Sequence, residues 1–309
     1  MDIESNTEPK LNAKEAALHF CISSVVMILI NKTVALMFPY PSILLFIQNT
    51  ISVLFLKAWK PHLNIDSKKA LDWLPCVCLF CVNIYSSLIA LKYVTVPTFT
   101  VFRNFQPILT TVFDFFLKQE TTSMSNVVCL LIIIVGGYIY AYEQINFHLT
   151  GYTWILVHVI SMSVYTILVK YSINTHNLHA YDMSFYNNGM SLVILATLVP
   201  FDTPPKRDIY RCIENMPCWS SILISAYGAL CVSIAGFQAQ ECMSPTSWLT
   251  CNNLSKIPAI ILSCFIWHLE LTYLEFAGIV ISLTGGYLYS LSSRNLLTNL
   301  SLKNICWLQ

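Results

Sequence analysis

The chain has 309 residues, of which 56% are hydrophobic and 11% charged, and its formal net charge is +1. A soluble chain of that balance could not cover its surface with polar groups, so its solvent is lipid, and the near-neutral charge excludes a nucleic-acid partner or a strongly basic surface arm. At roughly 20 residues per span plus short connections, the length holds about ten membrane helices and no separate soluble domain.

In chain order, residues 1–12 form a polar tail with Asp2, Glu4, Glu8 and Lys10. The tail lacks the basic flank and small-residue cleavage site of a signal peptide, so the first span is expected to be retained. Apolar windows follow at 13–37, 41–59, 73–92, 97–117 and 123–142. After a loop at 143–150, a second set falls at 151–173, 180–201, 217–241, 244–268 and 272–292, ahead of a tail at 293–309. In hydrocarbon each backbone N–H and C=O needs a partner within its own segment, so all ten windows are expected to be helices despite many β-branched residues. The expected fold class is therefore an all-α membrane protein with ten transmembrane helices. Most of the 12 cysteines, such as Cys21, Cys129, Cys231 and Cys264, lie inside these windows and read as small packing residues. Cys76, Cys78 and Cys81 point around a helix rather than along one face, so neither a metal nor a cofactor is expected.

The two sets of windows echo one another. Val135-Gly136-Gly137-Tyr138-Ile139-Tyr140 ends the fifth, and Thr284-Gly285-Gly286-Tyr287-Leu288-Tyr289 ends the tenth, 149 residues later. At nearly the same offset, Val96-Pro97-Thr98 opens the fourth and Ser244-Pro245-Thr246 the ninth. A repeat with an odd number of spans sets its second copy upside down, so 13–142 and 151–292 are expected to be two inverted five-helix repeats with a substrate site between them. With both termini in the cytosol, ten of the 17 basic residues fall in cytosolic segments and four on the opposite side, which favours that orientation.

Three cations lie inside the windows. Lys256 is about twelve residues, or ~18 Å, from either end of its span, too deep to snorkel to headgroups. A charge there costs about 2.5 to 3.5 kcal/mol on insertion scales, so it is expected to face a wet cavity or an anion. Arg103 lies nearer a surface, where a site and snorkelling both fit, and Lys32 reads as an anchor at the lumenal end of the first span. Asp114, Asp182, Glu241, Glu270 and Glu275 fall near span ends, and Asp114 stands four residues before Lys118 at ion-pair spacing. Buried cations without a central carboxylate point to an anion exchanger rather than a proton-coupled symporter. His158 reads as a hydrogen-bonded packing histidine.

Phe185-Tyr186-Asn187-Asn188 in the seventh window and Asn252-Asn253-Leu254-Ser255-Lys256 in the ninth resemble the FYNN and GALNK motifs of Golgi GDP-mannose transporters. The likeness extends through Ser23-Ser24, Asn31-Lys32, Tyr93, Val96-Pro97 and Phe102-Arg103-Asn104, covering nearly the whole membrane core. The resemblance implies the drug/metabolite transporter fold, no enzymatic activity, and exchange of cytosolic nucleotide-sugar for lumenal nucleoside monophosphate. It implies that Tyr186, Asn187 and Asn188 address the nucleoside and that Lys256 meets the diphosphate. Two asparagines offer donors and acceptors to a base edge, tyrosine adds a flat face, and lysine is a compact charge for phosphate. Taken alone, Asn187 and Asn188 fit interhelical hydrogen bonding equally well.

The departures concern the sugar end. Asn252 and Asn253 replace the glycine and alanine of GALNK, Ser255 replaces its asparagine, and Trp248 and Phe20 stand where the family has tyrosines. Ser233 and Ser247 remain candidate contacts. Besides a GDP-sugar antiporter, the readings left open are a UDP-sugar carrier, such as one for UDP-N-acetylglucosamine, and a non-transporting scaffold that kept the fold. A multi-span enzyme on lipid-linked sugar is disfavoured, since the short loops offer neither paired carboxylates nor metal ligands. By resemblance the expected location is the Golgi membrane, with the endoplasmic reticulum as alternative, and a homodimer is left open.

Overall fold

The computed structural model describes residues 12–61, 63, 66–118, 123–142, 148–176, 179–202, 210, 214, 216–242 and 251–306. They form an all-helical membrane protein. In chain order the helices are α1 (Ala13–Met37), α2 (Pro41–Trp59), α3 (Ser67–Tyr93), α4 (Val96–Arg103), α5 (Gln106–Lys118) and α6 (Met124–Tyr142). Then come α7 (Leu149–His176), α8 (Ala180–Leu198), α9 (Met216–Cys242), α10 (Lys256–Trp267) and α11 (Tyr273–Cys306), with a 3-10 turn at Val199–Phe201.

Local chemistry sets several helix starts. Asn12 N–H donates to the Glu15 carboxylate at 3.3 Å ahead of α1, and Thr98 N–H donates to Thr95 Oγ1 at 3.3 Å ahead of α4. At α11 a reciprocal pair forms, Thr272 N–H to Glu275 Oε2 at 2.8 Å and Glu275 N–H to Thr272 Oγ1 at 3.1 Å, which places the buried Glu275 in a cap. Proline stands in the first turn of α2 and of α4, where its missing N–H costs nothing.

Among the described residues, seven helices are long and apolar enough to cross a membrane, lying in α1, α2, α3, α6, α7, α9 and α11. The expected spans outside that set are those at 97–117, 180–201 and 244–268. The first and third are interrupted at Asn104-Phe105 and at Ser255. Each interruption stands three or fewer residues before a proline, Pro107 or Pro258, which cannot donate to the carbonyl of Arg103 or Leu254 four residues earlier. The span at 180–201 is α8, whose first half carries Asp182 and the polar Tyr186-Asn187-Asn188 run. These three segments hold most of the candidate site residues. α11 runs on to Cys306, past the expected end at 292, while Pro245 and its neighbours lie outside the described residues.

The helices pack in long pairs: α6 along α11, α3 along α7, α1 along α9 and α2 along α8. The α6–α11 pair is a glycine seam. A Cβ on Gly136 would lie 2.3 Å from Ser282 N, one on Gly278 2.6 Å from Tyr140 N, and one on Gly285 2.8 Å from Ile133 N. Backbones approach that closely only where side chains are missing. Apolar clusters fill the remaining contacts, among them Trp73, Cys76, Val77, Met183 and Phe237 between α3, α8 and α9. Cys76 and Cys81 are buried and Cys78 exposed, so the three do not share a face. Cys218, not among the cysteines named as packing residues, is buried and disulfide-bonded.

Candidate functional site

Lys256 opens α10 just past the Ser255 kink and is 6% exposed. Its ammonium donates to Asn104 Oδ1 at 2.9 Å and to Asn253 Oδ1 at 2.7 Å. Both partners are amide oxygens, which solvate the charge without cancelling it. The amides are tied down in turn: Asn104 Nδ2 donates to Ser282 O and to Ser282 Oγ at 3.1 Å, and Asn253 Nδ2 donates to Gly286 O at 2.9 Å. Ser255 Oγ donates to Asn252 O at 2.9 Å, which stiffens the kink, while Asn252 Oδ1 is buried without a hydrogen-bond partner among the described residues.

Arg103 ends α4 beside this cluster. Its Nε is buried and has no hydrogen-bond partner among the described residues, and its charge lies within electrostatic reach of Lys256 and of His158. His158 Nδ1 sits 3.1 Å from Asn83 O, so that nitrogen must donate, while Nε2 has no partner among the described residues. His158 packs at 5.0 Å from the Phe99 ring. Lys32 is not the surface anchor expected of it. It is buried, and its ammonium donates to Leu91 O at 2.6 Å and Val94 O at 2.7 Å, closing the C-terminus of α3.

A second polar group is built on α8. Asn187 Oδ1 accepts from Trp73 Nε1 at 2.8 Å, and Asn187 Nδ2 donates to Tyr165 Oη at 2.6 Å. Tyr186 Oη accepts from Asp66 N–H at 2.9 Å. Asn188 Nδ2 donates to Ser184 O at 2.7 Å and reaches Ser233 Oγ at 3.5 Å, and Ser184 and Ser233 hydroxyls meet at 2.7 Å. Phe185 packs with Leu56, Leu63 and Leu230. Phe20 lies in another apolar cluster, with Ala16, Ala235 and Ala239. Ser247 and Trp248 lie outside the described residues.

The structure thus gathers Arg103, Asn253 and Lys256 into one cluster, while on α8 Asn188 joins Ser184 and Ser233, Asn187 joins Trp73 and Tyr165, and Tyr186 meets Asp66. Asn104, Ser184, Trp73 and Tyr165 complete these clusters without having been singled out as site residues. For Asn104 a signal existed, since it precedes Asn253 by 149 residues, the step that separates the two Gly-Gly-Tyr runs.

Among the described residues the Lys256 ammonium meets neutral amides inside a polytopic helical bundle, an arrangement that suits a transporter of anions. The chain belongs to the Triose-phosphate Transporter family, whose model matches residues 16–290. It is 25% identical to the GDP-mannose transporter GONST3 of Arabidopsis thaliana over 90% of this chain and 77% of that one. It is 24% identical to GDP-fucose transporter 1 of the same plant, over 93% and 88% of the two chains. To the GDP-mannose transporter of Komagataella pastoris it is 22% identical, over 89% of each. A crystal structure at 14% identity shares the fold with a TM-score of 0.61, covering 92% of this chain and 99% of that one.

Proposed function

We propose that this protein is a nucleotide-sugar antiporter that brings a GDP-sugar, GDP-mannose first, into the Golgi lumen in exchange for a nucleoside monophosphate. The observation that carries the reading is the Lys256 ammonium, deep in the bundle and held by two amide oxygens, with the Arg103 cation in reach. Two such cations repel one another in an apolar interior, and the diphosphate of a nucleotide-sugar supplies the negative charge that relieves them. Tyr186, Asn187 and Asn188, with Ser233 and Ser184 beside them, are assigned to the nucleoside. Asn252, Asn253 and Ser255 are assigned to the sugar end, and Trp248, Ser247 and Phe20 to the rest of the wall.

Ten spans in two inverted repeats are the architecture of this reading. Helix pairing supports it: exchanging α1 with α7, α2 with α8, α3 with α9 and α6 with α11 turns the α3–α7 pair into the α9–α1 pair and leaves the α2–α8 and α6–α11 pairs in place. Rocking of the two halves about the kinked spans would then expose the site to either side. The two GDP-sugar transporters of Arabidopsis and the yeast relative favour guanosine as the base. Asn252 and Asn253, in place of glycine and alanine, alter the sugar end of the site, and they keep a UDP-sugar carrier as the second reading.

The test is uptake of labelled nucleotide-sugars by liposomes carrying the purified protein, preloaded with GMP or with UMP. Trans-stimulation by GMP supports the first reading and by UMP the second. Uptake with neither, in protein that is folded and correctly inserted, rejects exchange and leaves the scaffold reading.

A further inference from the structure

A lysine ammonium carries three N–H donors. On Lys256, Asn104 and Asn253 take two of them at 2.9 and 2.7 Å, which among the described residues leaves one for a further partner. The direction of each amide is fixed, because both anchor their NH2 groups on α11, at Ser282 and at Gly286. Flipping either amide would set its NH2 against the ammonium and its oxygen against a backbone carbonyl. Asn104 is fully buried, and a Cβ on Gly286 would lie 2.7 Å from its Oδ1, so the missing side chain at 286 makes its room. Asn104 follows α4, whereas Lys256 and Asn253 come from the segment around α10, so the ammonium is held between chain regions 152 residues apart.

We infer that Asn104 is a positioning residue of the anion site: with Asn253 it aims the third N–H of Lys256 and solvates the ammonium without neutralising it, so that the full charge meets a phosphate oxygen. The inference rests on the assignment of Lys256 to the diphosphate. A carboxylate at position 104 would have the same shape and would cancel the charge. A hydrophobic residue would leave a buried cation short of one partner and free to change rotamer.

The experiment uses the full chain purified in detergent, with inorganic pyrophosphate as the probe and ligand-induced thermal stabilisation as the readout, followed by exchange kinetics in proteoliposomes. Asn104→Asp is expected to keep or raise the melting temperature of the unliganded protein and to weaken apparent pyrophosphate affinity at least tenfold, with a matching rise in KM for the nucleotide-sugar. A merely structural role would move the unliganded melting temperature and leave the affinity alone. Asn104→Ser, neutral but too short to reach, is expected to bind several-fold more weakly than wild type and serves if the aspartate variant does not fold. Wild-type affinity in either folded variant overturns the positioning role. Lys256→Ala separates the two levels. If it abolishes pyrophosphate stabilisation while Asn104→Asp and Asn104→Ser do not weaken it, only the role of Asn104 fails. If Lys256→Ala leaves stabilisation intact, or wild type shows none, the phosphate assignment fails and the positioning role with it.

Discussion

Lys32 and Lys256 are both buried among apolar helices, and their partners divide them by role. Lys32 gives two donors to the carbonyls at the end of α3, a fixed structural duty, whereas Lys256 gives two to side-chain amides brought together from chain regions 152 residues apart. Lys32→Met removes two charge-assisted hydrogen bonds, worth about 1.5 to 3 kcal/mol each before the relief of desolvation is counted, so a net loss of about 2 kcal/mol is expected. Lys256→Met likewise removes two charge-assisted hydrogen bonds and leaves the amide oxygens of Asn104 and Asn253 without that donor, so a similar loss of stability is expected, while exchange falls at least ~100-fold, the loss of about 2.7 kcal/mol of transition-state binding, a fall that Lys32→Met is not expected to share. Melting temperature and initial exchange rate, measured on both variants, check the pair of expectations, and the reverse pattern would exchange their roles. Depth in an apolar window was enough to single out Lys256. The duty of Lys32 was not legible, because the orphan carbonyls it satisfies are 59 and 62 residues away. Asn187 shows a similar limit. Its residue type suited a base edge or a neighbouring helix equally, and only the fold brings Trp73 and Tyr165 to its amide. Asn187→Ala strands both of those buried groups, so a loss of about 1 to 3 kcal/mol in the substrate-free protein is expected, readable as a lower melting temperature.

For whole helices, hydropathy placed most elements within a few residues, since α1 and α2 match the windows at 13–37 and 41–59 and α6 begins one residue late. The kinks were harder to read. A window average does not register which carbonyl a proline deprives of its donor, and Pro107 and Pro258 act on residues that also carry or adjoin the site. The paired glycines read as a repeat marker, and in the structure their helices are also in contact: α6 and α11 meet along Gly136, Gly278 and Gly285 with no space for a methyl group. Because the obstructing atoms at Gly136 and Gly278 are backbone, the helices themselves must separate to admit one. Gly136→Ala and Gly278→Ala are each expected to cost about 1 to 3 kcal/mol or more and to lower the yield of monodisperse protein. Gly228→Ala is the control, since its Cβ would meet only the flexible Met27 sulfur at 3.4 Å. Equal behaviour of all three in size-exclusion profile and melting temperature would show that the seam is not close-packed.

Across the molecule, two signals of different origin bear on orientation. α2 carries Lys57 and Lys60 at one end, and at the other Ser42 N–H donates to Asp202 Oδ2 at 2.6 Å. Cys218 packs at that second end with Phe38, Leu44 and Leu45. At 1.5 Å per residue, the 19-residue helix separates its two ends by roughly 28 Å, about the thickness of a bilayer core. Basic residues favour the cytosol for the first end, and the disulfide at Cys218 favours an oxidising lumen for the second. The charge count and the redox chemistry are independent, and both agree with termini in the cytosol. In sealed, right-side-out Golgi vesicles, a cysteine introduced as Lys60→Cys is therefore expected to react with a membrane-impermeant maleimide added outside. Cys218 is expected to resist the same reagent until the vesicles are both permeabilised and reduced, and mass spectrometry of the labelled peptides reads both sites. Labelling at position 60 that requires permeabilisation, together with a Cys218 that reacts in sealed vesicles without reductant, would invert the protein in its membrane.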